Sequence, residues 1–406
     1  MKTSLANKKG FILFSVICIC LVFIIVILPL INWTVNEFSW TTRSFMSLRA
    51  LNLADAGAEL AVWEIVHNSA QFTGWTGVNP KTRSLSSFTD NLGETIGDIS
   101  VTALTLSPDN YLITSSGLIP NAANPSTAKT VKVRVFPHRL FNNGLFGDDS
   151  VTLNGNAFAD SYDSSLGPYS SLLARDNADV GTNGTLSMVG NSHIHGDVFV
   201  GEEGSLPSGT ESRITGDVNY FGEVIELDPV PQNKYDYLSA LPNPGGLSLK
   251  SNDTQTLPTG NYHYSSISVS GNAVLTFAVN CHILLDGDFS TSGNGQVVCQ
   301  AGAEFYIGGS GSFSGNGIVN TAGIPADVQL YGLGEGTSFD FTGNSNFSGT
   351  VYAPGSSVKI SGNGAFFGAV VGNDITISGN GGFHYDESLA SSNLTSGYDI
   401  AYWQED

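Results

Sequence analysis

The sequence predicts a long transmembrane helix and a small antiparallel sheet (an α+β N-terminal part), followed by an all-β parallel β-solenoid. Three observations carry this prediction. Residues 11–31 are apolar and uncharged, segments before residue 140 alternate apolar and polar residues, and a Gly-Asn tetrapeptide recurs through the second half. We divide the chain into a cytoplasmic leader (1–10), a helix (11–68), a β unit (69–140), a solenoid (145–388) and a C-terminal cap (389–406).

The composition fits an exported, turn-rich β protein. Of the 406 residues, 41% are apolar and only 13% are charged, and the formal net charge is −20. Beyond residue 213 the basic residues are Lys234, Lys250 and Lys359. Because nucleic-acid binding needs clustered cations, we exclude that class of partner. The acidity is interpreted as a source of solubility and mutual repulsion outside the cell.

The apolar run at residues 11–31 is long enough to cross a membrane. As a helix it would span about 31 Å, which matches the hydrocarbon core of a bilayer. Lys2, Lys8 and Lys9 precede it and favour a cytoplasmic N-terminus. A cleaved secretory signal is the alternative, but no A-x-A-like cleavage site follows.

The helix is expected to continue beyond the membrane. No proline or glycine lies between residues 32 and 56, so a helix reaching about residue 67 is allowed. Small residues at spacings of three and four form a stripe on one side, where another helix could approach closely. The stripe comprises Ala50, Ala54, Gly57, Ala58 and Ala61. A membrane anchor followed by an ordinary connecting helix is the alternative.

The residues before the apolar run resemble a processing site. Lys8-Lys9-Gly10-Phe11 is similar to the site of type IV pilin-like proteins, in which a prepilin peptidase cuts after the glycine. The resemblance implies cleavage between Gly10 and Phe11. Major pilins carry a Glu four residues after the first mature residue, where this chain has Ser15. That departure favours a minor or tip subunit over a major one.

A second motif lies beyond the membrane. Residues 50–65 contain Ala54-Asp55-Ala56-Gly57, which resembles the N-terminal region of PilX-type minor pilins. The resemblance covers roughly the first 65 residues. Segments 98–106, 111–115 and 130–136 then read as strands of a small antiparallel sheet. By analogy with pilin-like subunits, this sheet is expected to pack on the second half of the helix.

The tetrapeptide x-Gly-Asn-small occurs eight times. Glycine accepts positive φ and asparagine tolerates it, so each copy is a candidate tight corner. Spacings of about 17 to 28 residues in the last six copies favour a parallel solenoid with one corner per coil over separate hairpins or a sandwich. Stacked asparagines would then form a hydrogen-bonded ladder. The corners are Gly155-Asn156, Gly190-Asn191, Gly271-Asn272, Gly293-Asn294, Gly315-Asn316, Gly343-Asn344, Gly362-Asn363 and Gly379-Asn380.

The second half also resembles a known but uncharacterised domain. The stretches at residues 155–157, 160–169, 258–273 and 349–389 look like a C-terminal domain often fused to PilX-type N-termini. The match extends over 398–405, where Tyr402 and Trp403 are expected to close the last coil. The family offers no catalytic activity to carry over.

An enzyme is the main rival interpretation, because β-solenoids include polysaccharide lyases and hydrolases. A glycoside hydrolase needs two suitably spaced carboxyl groups. The candidate pairs are Asp286 with Asp288 and Asp386 with Glu387. His193 and His195 alternate on one predicted strand, but two histidines are a weak metal signal. We therefore predict no enzyme, no catalytic, cofactor-binding or metal-binding residues, and no cofactor.

Cys281 and Cys299 leave two alternatives open. Both end strand-like segments, and their separation approximates one coil, so a disulfide is possible after export. However, the local Gly-Asn spacing places Cys299 short of the stacked position. Two separate buried thiols are the other reading.

The resemblances imply a non-enzymatic minor pilin or pilin-like surface protein. Its anchor helix would sit in the bacterial inner or cytoplasmic membrane and enter a type IV pilus-like assembly of pilin-like subunits. Its solenoid would lie outside the cytoplasm, serving adhesion to a surface or polysaccharide ligand, or a tip or priming role. A permanently anchored structural or adhesive envelope protein is the alternative, and a polysaccharide-active enzyme the third.

Overall fold

The computed structural model begins with one long helix, α1 (Ala6–His67), which runs through Pro29 without interruption. The structure describes residues 6–67, 72–89, 95–107, 110–120, 127–222, 224–391 and 394–405. Residues 1–5 of the predicted leader lie outside this set. For residues 6–13, which include Gly10 and Phe11, only the helical backbone is described.

The first half of α1 is apolar and exposed. Phe14, Ile25 and Leu30 are each at least 60% exposed. Within the described residues, α1 is the one helix long and apolar enough to cross a membrane. Exposing such side chains to water is unfavourable, so this half of the helix requires a lipid or protein environment.

An antiparallel sheet packs against the second half of α1. Its first four strands, in sheet order, are β1 (Lys81–Thr89), β2 (Thr95–Ser107), β3 (Asn110–Ile119) and β4 (Thr127–Arg139). The predicted segments 98–106, 111–115 and 130–136 fall inside β2, β3 and β4. Strand β1 was not predicted because its sequence, KTRSLSSFT, is mostly polar and exposed.

The small-residue stripe of α1 contacts this sheet. Ala50, Ala54, Ala58 and Ala61 have no exposed surface. A Cβ placed on Gly57 would lie 2.3 Å from Ser115 Oγ, so the helix approaches the sheet too closely for any side chain there. The close approach that the sequence allowed for another helix is therefore made by a sheet. The chain's own sheet occupies the stripe.

The following segment is composed of short strands and one four-residue helix, α2 (Asp236–Ser239). The strands are β5 (Leu145–Gly155), β6 (Phe158–Tyr162), β7 (Val180–Thr182), β8 (Thr185–Gly190), β9 (His193–Ile194), β10 (Val198–Gly201), β11 (Val218–Phe221), β12 (Leu247–Leu249), β13 (Thr254–Leu257), β14 (Gly260–Tyr264), β15 (Ile267–Val269), β16 (Val274–Phe277), β17 (Cys281–Leu285), β18 (Phe289–Thr291), β19 (Gln296–Cys299), β20 (Ala303–Ile307), β21 (Gly311–Phe313), β22 (Gly317–Asn320), β23 (Val328–Gly332), β24 (Ser338–Gly343), β25 (Phe347–Gly362), β26 (Phe366–Gly379) and β27 (Gly382–Asp386).

These strands pair in parallel at a regular sequence interval. Val269 of β15, for example, lies beside Leu249 of β12 and beside Thr291 of β18. Strands β13, β16, β19 and β22 form a separate four-stranded sheet with the same kind of pairing. The body is therefore a set of parallel sheets whose neighbouring strands come from successive stretches of sequence.

Phenylalanine side chains fill much of the interior. Phe289 and Phe313 have ring centroids 5.1 Å apart, and Phe341 and Phe347 follow at the closest spacing, 4.8 Å. Aromatic rings at such distances contribute dispersion and quadrupole interactions in addition to burial. Because the inward residues of successive strands stack on each other, each strand depends on its neighbours for a dry core.

The first and last strands of this body are direct neighbours. Strand β26 pairs with β25 on one side and β5 on the other, so that Val370 lies beside Leu145. Likewise β27 pairs with both β26 and β6. Residues 145–162 thus hydrogen-bond to residues 366–386, although more than half of the chain separates them.

The C-terminal strand does not cap the parallel body. Strand β28 (Thr395–Glu405) is the fifth strand of the antiparallel sheet, next to β4. Residues 397–406 group with the N-terminal part of the chain, whereas His138–Ser396 forms the other compact unit. The predicted cap at residues 389–406 is wrong for this strand. The strands that this cap was expected to cover, β26 and β27, are instead paired with β5 and β6.

We predict that the helix–sheet contact tolerates no side chain at Gly57. In the full-length chain in detergent, Gly57→Leu should lower the free energy of unfolding by about 1–3 kcal/mol, because overpacking forces the helix from the sheet. Ala56→Leu is the matched control, since Ala56 is exposed on the same turn. Urea titrations monitored by circular dichroism measure both. Equal stability of the two variants would contradict the packing argument.

Candidate functional site

The densest group of titratable side chains lies where β6 pairs with β27. Asp160 of β6 hydrogen-bonds His384 of β27 through its Oδ1 and accepts a 2.8 Å bond from the Tyr169 hydroxyl through its Oδ2. The His384 and Tyr169 rings are in contact, with centroids 3.8 Å apart. Burial, followed by the bond to Asp160, raises the pKa of Tyr169, so its hydroxyl remains a donor. We call Asp160, Tyr169 and His384 the buried triad, in which Asp160 and His384 are buried and Tyr169 is half-buried.

Glu387 lies next to this triad, and both of its carboxylate oxygens accept hydrogen bonds. Its carboxylate accepts bonds from Ser161 Oγ (2.7 Å), Arg175 Nη1 (2.6 Å) and Asn177 Nδ2 (2.9 Å). Burial raises the pKa of Glu387, but the bonds from Asn177, Ser161 and Arg175 outweigh it and leave the pKa below its ordinary value. Glu387 thus joins the segment after β27 to β6 and the loop that follows β6.

Asp386 is completely buried. Its Oδ1 accepts the backbone N–H groups of Ser164 (2.9 Å) and Ser388 (3.2 Å). Its Oδ2 has no hydrogen-bond partner among the described residues. Burying a carboxylate oxygen without a partner is unfavourable, so the surrounding structure must compensate for it. An acid without solvent access cannot position water for hydrolysis.

This arrangement joins distant segments of the chain and presents no open pair of carboxyl groups. Asp386 and Glu387, predicted as one candidate pair, are instead held in separate hydrogen-bonded environments. The triad spans residues 160 to 384, a pairing that spacing along the sequence does not reveal. Only the HYD run in GGFHYDESL signals that titratable groups cluster there.

The other acids and histidines that the sequence suggested either hydrogen-bond to neighbouring groups or lie exposed at the surface. Asp286 Oδ1 contacts His263 Nε2 at 2.9 Å, and its Oδ2 accepts a 2.7 Å bond from Asn243. Asp288 accepts the backbone N–H of Ser310. His195 contacts Asp176, and His193 is exposed. Over the described ranges, no three His, Cys, Asp or Glu side chains are grouped as metal ligands.

The Gly-Asn tetrapeptides lie at the ends of strands, where the glycine has a positive φ. All eight glycines have positive φ, from 65° at Gly293 to 127° at Gly343. Side chains with a Cβ rarely adopt this conformation, so glycine is favoured there. A corner missed in the sequence precedes β13, where Ser251 has a φ of 56° and Asn252 follows.

Most asparagines of these corners are joined by side-chain hydrogen bonds, whereas Asn316 Nδ2 donates to the backbone carbonyl of Asn294 at 3.0 Å. Asn272 Nδ2 donates to Asn252 Oδ1 at 3.1 Å, and Asn294 Nδ2 donates to Asn272 Oδ1 at 2.9 Å. The same bonds join Asn363 to Asn344 and Asn380 to Asn363. The ladder then crosses to the early part of the chain, where Asn156 Nδ2 donates to Asn380 Oδ1 at 3.0 Å.

The Ala54-Asp55-Ala56-Gly57 motif combines packing with one polar contact. Ala54 and Gly57 face the sheet, while Asp55 Oδ1 accepts a 3.1 Å bond from Trp403 Nε1 of β28. The tryptophan expected to close the last coil therefore bonds to the helix. No spacing or motif along the chain predicts a contact between residues 55 and 403.

Cys281 and Cys299 are buried free thiols. The register places Cys281 beside Ala303 and Cys299 beside Phe277. Burial raises the pKa of Cys299, and the nearby Cys281 raises it further. A raised thiol pKa reduces the thiolate fraction and with it the reactivity.

A cavity of about 320 Å³ was not predicted from the sequence. Its apolar wall includes Phe146, Phe199, Phe221 and Val371, and Arg139 and Glu226 are among its polar residues. These residues come from separate strands and loops, so no local pattern marks them.

Comparison with known proteins gives a family match and weak structural likenesses. Residues 226–392 match a family described as Domain of unknown function (DUF7305). No curated protein matches this sequence. The competence-associated pilin ComZ from Thermus thermophilus is 12% identical, with a TM-score of 0.32, and the alignment covers 89% of this chain and 97% of that one. An ice-binding protein from the Antarctic ascomycete Antarctomyces psychrotrophicus is 15% identical, with a TM-score of 0.28 and coverage of 60% and 93%. Neither likeness is close enough to carry an argument about this chain.

We predict that Glu387 makes the chain sensitive to acid. Because its folded pKa is depressed, its stabilisation is complete at neutral pH and is lost as the pH falls below 4.5, through the folded value. Glu387→Gln should cost about 2 kcal/mol at neutral pH and flatten the acid dependence, measured by urea unfolding at several pH values. Glu203→Gln, at an exposed carboxyl, is the control. An unchanged acid slope in Glu387→Gln would contradict this role.

We also predict slow reaction of Cys281 and Cys299 with thiol reagents in the folded chain. In a Cys18→Ser/Cys20→Ser variant, both remaining thiols should react only after denaturation, because they are buried. Thiol counting without reductant, before and after denaturation, measures this. Absence of reactive thiols after denaturation would show a disulfide and refute the assignment.

Proposed function

We propose that this chain is a non-enzymatic, pilin-like surface protein. Its N-terminal helix anchors it in the inner or cytoplasmic membrane and can enter a pilus-like assembly. Its parallel body is a β-solenoid displayed outside the cytoplasm for adhesion or for a tip or priming role. Other pilin-like subunits are the expected partners of the helix.

The observation that carries this proposal is the division of α1 into two halves. The first half exposes apolar side chains such as Ile25, whereas Ala54 and Gly57 in the second half are buried against the chain's own sheet. A helix that is free at one end and built into a domain at the other suits insertion into a membrane or a bundle of like helices. The resemblance of Lys8-Lys9-Gly10-Phe11 to a prepilin processing site supports the same proposal.

Pairing in the body supports the solenoid. Neighbouring strands such as β15, β18 and β21 come from successive stretches of sequence, and hydrogen bonds such as that between Asn294 and Asn272 join their corners. Repeating units of this kind stabilise one another through neighbour contacts. The PilX-type assignment rests on the Ala54-Asp55-Ala56-Gly57 motif and Ser15, which favour a minor subunit.

A permanently anchored envelope protein is the second candidate. It shares the membrane helix and the displayed body and differs only in keeping its leader. An enzyme is the third. It receives no support from the acid pairs that the sequence suggested, because Asp386 is buried and Asp286 and Glu387 are held by hydrogen bonds.

We predict processing after Gly10. Chain purified from a host with a prepilin peptidase should begin at Phe11, as intact-mass and N-terminal peptide spectrometry will show. Gly10→Val should keep the leader, because a branched residue does not fit next to the scissile bond. Gly222→Val is the control, since it alters a glycine outside the processing site at which a Cβ would meet no other atom within 4 Å. A chain that begins at Met1, or beyond Trp33, rules out the pilin-like assignment.

A further inference from the structure

One face of the parallel body carries hydroxyl side chains in register. In β12, β15, β18 and β21 the central outward residues are Ser248, Ser268, Ser290 and Ser312, each directly beside the next. The residues on either side of them, such as Ile267 and Val269, are buried. Because side chains alternate across a strand, these serines point away from the core.

The row continues on the strands that follow in space. Asp340 and Lys359 come next, and Thr376, Thr152 and Ser187 follow in register. The step from Thr376 to Thr152 crosses from the last strands of the body to the first. We call this row, from Ser248 to Ser187, the hydroxyl row.

Further hydroxyls flank the row on both sides. Ser357 lies beside Ser338, and Ser361 lies beside Thr342, two residues from the central positions. Neighbouring strands are about 4.8 Å apart, and alternate residues along a strand about 6.7 Å. The face therefore presents a two-dimensional lattice of hydroxyls. In the sequence, this lattice corresponds to Ser or Thr residues that recur two positions apart just before Gly-Asn.

The hydroxyls of the central row are available to a ligand. Among the described residues, the side chains of Ser268, Ser290, Ser312, Thr152 and Thr376 have no intramolecular hydrogen-bond partner, and all remain partly exposed. A hydroxyl both donates and accepts. The row thus offers a repeating series of groups that can bond to other hydroxyls.

Charge and shape restrict what this face can bind. The chain has a net charge of −20, yet the hydroxyl row holds only Asp340 and Lys359, which are adjacent and opposite in sign. The row therefore offers neither a cluster of cations to an anionic ligand nor a cluster of carboxylates to a cationic one. An open strand face also cannot enclose a small molecule, so useful affinity needs many weak contacts to one extended ligand.

We propose that the hydroxyl row binds a neutral, insoluble polysaccharide. Such a polymer presents hydroxyls along a regular repeat, which can donate to and accept from the hydroxyls of the row. It is uncharged, as the row itself is on balance. Ice is the other repeating neutral surface, but most of the row is serine, which lacks the methyl group that threonine would add. This inference rests on the proposed function, because it names the ligand of the displayed body.

The test is co-sedimentation of the full chain, in detergent, with insoluble cellulose and chitin and, for comparison, with insoluble calcium alginate as an acidic polysaccharide. We expect binding to at least one neutral polysaccharide, little change with salt, and none to alginate. Ser268→Ala/Ser290→Ala/Ser312→Ala should weaken binding roughly ten- to a hundredfold through lost hydrogen bonds. Thr256→Ala/Thr276→Ala/Val298→Ala is the matched control, because these residues occupy one register on a different sheet.

The outcomes separate the possibilities. Binding lost only in the serine variant supports the proposal, whereas equal loss in the control, preference for alginate, or no binding overturns it. Inhibition of ice growth without polysaccharide binding overturns it in favour of ice. Circular dichroism shows whether each variant is folded. If the triple variant does not fold, Ser312→Ala alone, at an exposed position, should still weaken binding, and unchanged binding would overturn the proposal. The leader-cleavage measurement decides the pilin-like assignment independently, since co-sedimentation does not depend on processing.

Discussion

The pairing of β26 and β27 with β5 and β6 is the interaction on which the parallel body depends. It fills the edges of both the first and the last strands, and an unpaired strand edge is prone to association. The buried triad and Glu387 lie on this junction and add polar contacts that only the correct register can satisfy. The asparagine ladder and the hydroxyl row both continue across it. The corners, the core and the proposed binding face therefore all continue across the pairing of β26 and β27 with β5 and β6.

The same principle of close approach governs the first unit. Helix α1 can lie on its sheet because small residues remove the bulk that would separate them. The exposed apolar half of the helix has no such partner within the described residues. One helix therefore meets two environments, and the change from large apolar to small side chains along its length marks the boundary.

Local patterns predicted local structure well. The alternation in residues 130–136 identifies β4, and glycine at the corners reflects a backbone conformation that other residues adopt at a cost. Strand β1 was missed because its polar sequence lacks alternation. Distant pairings were out of reach, since neither the Asp160–His384 bond nor the Trp403–Asp55 bond follows from spacing. The expected C-terminal cap failed for the same reason: the sequence shows an edge that needs covering, but not which segment covers it.

The position of the late strands has a consequence for biogenesis. Residues 145–162 leave the ribosome long before residues 366–386, and β4 is made long before β28. Both compact units therefore lack a neighbouring strand until the end of the chain arrives. Pairing over such sequence distances is slow, and the exposed edges remain open to wrong partners in the meantime. A chain whose synthesis or export stops early leaves open edges in both units at once, which makes the incomplete product recognisable to proteases and chaperones.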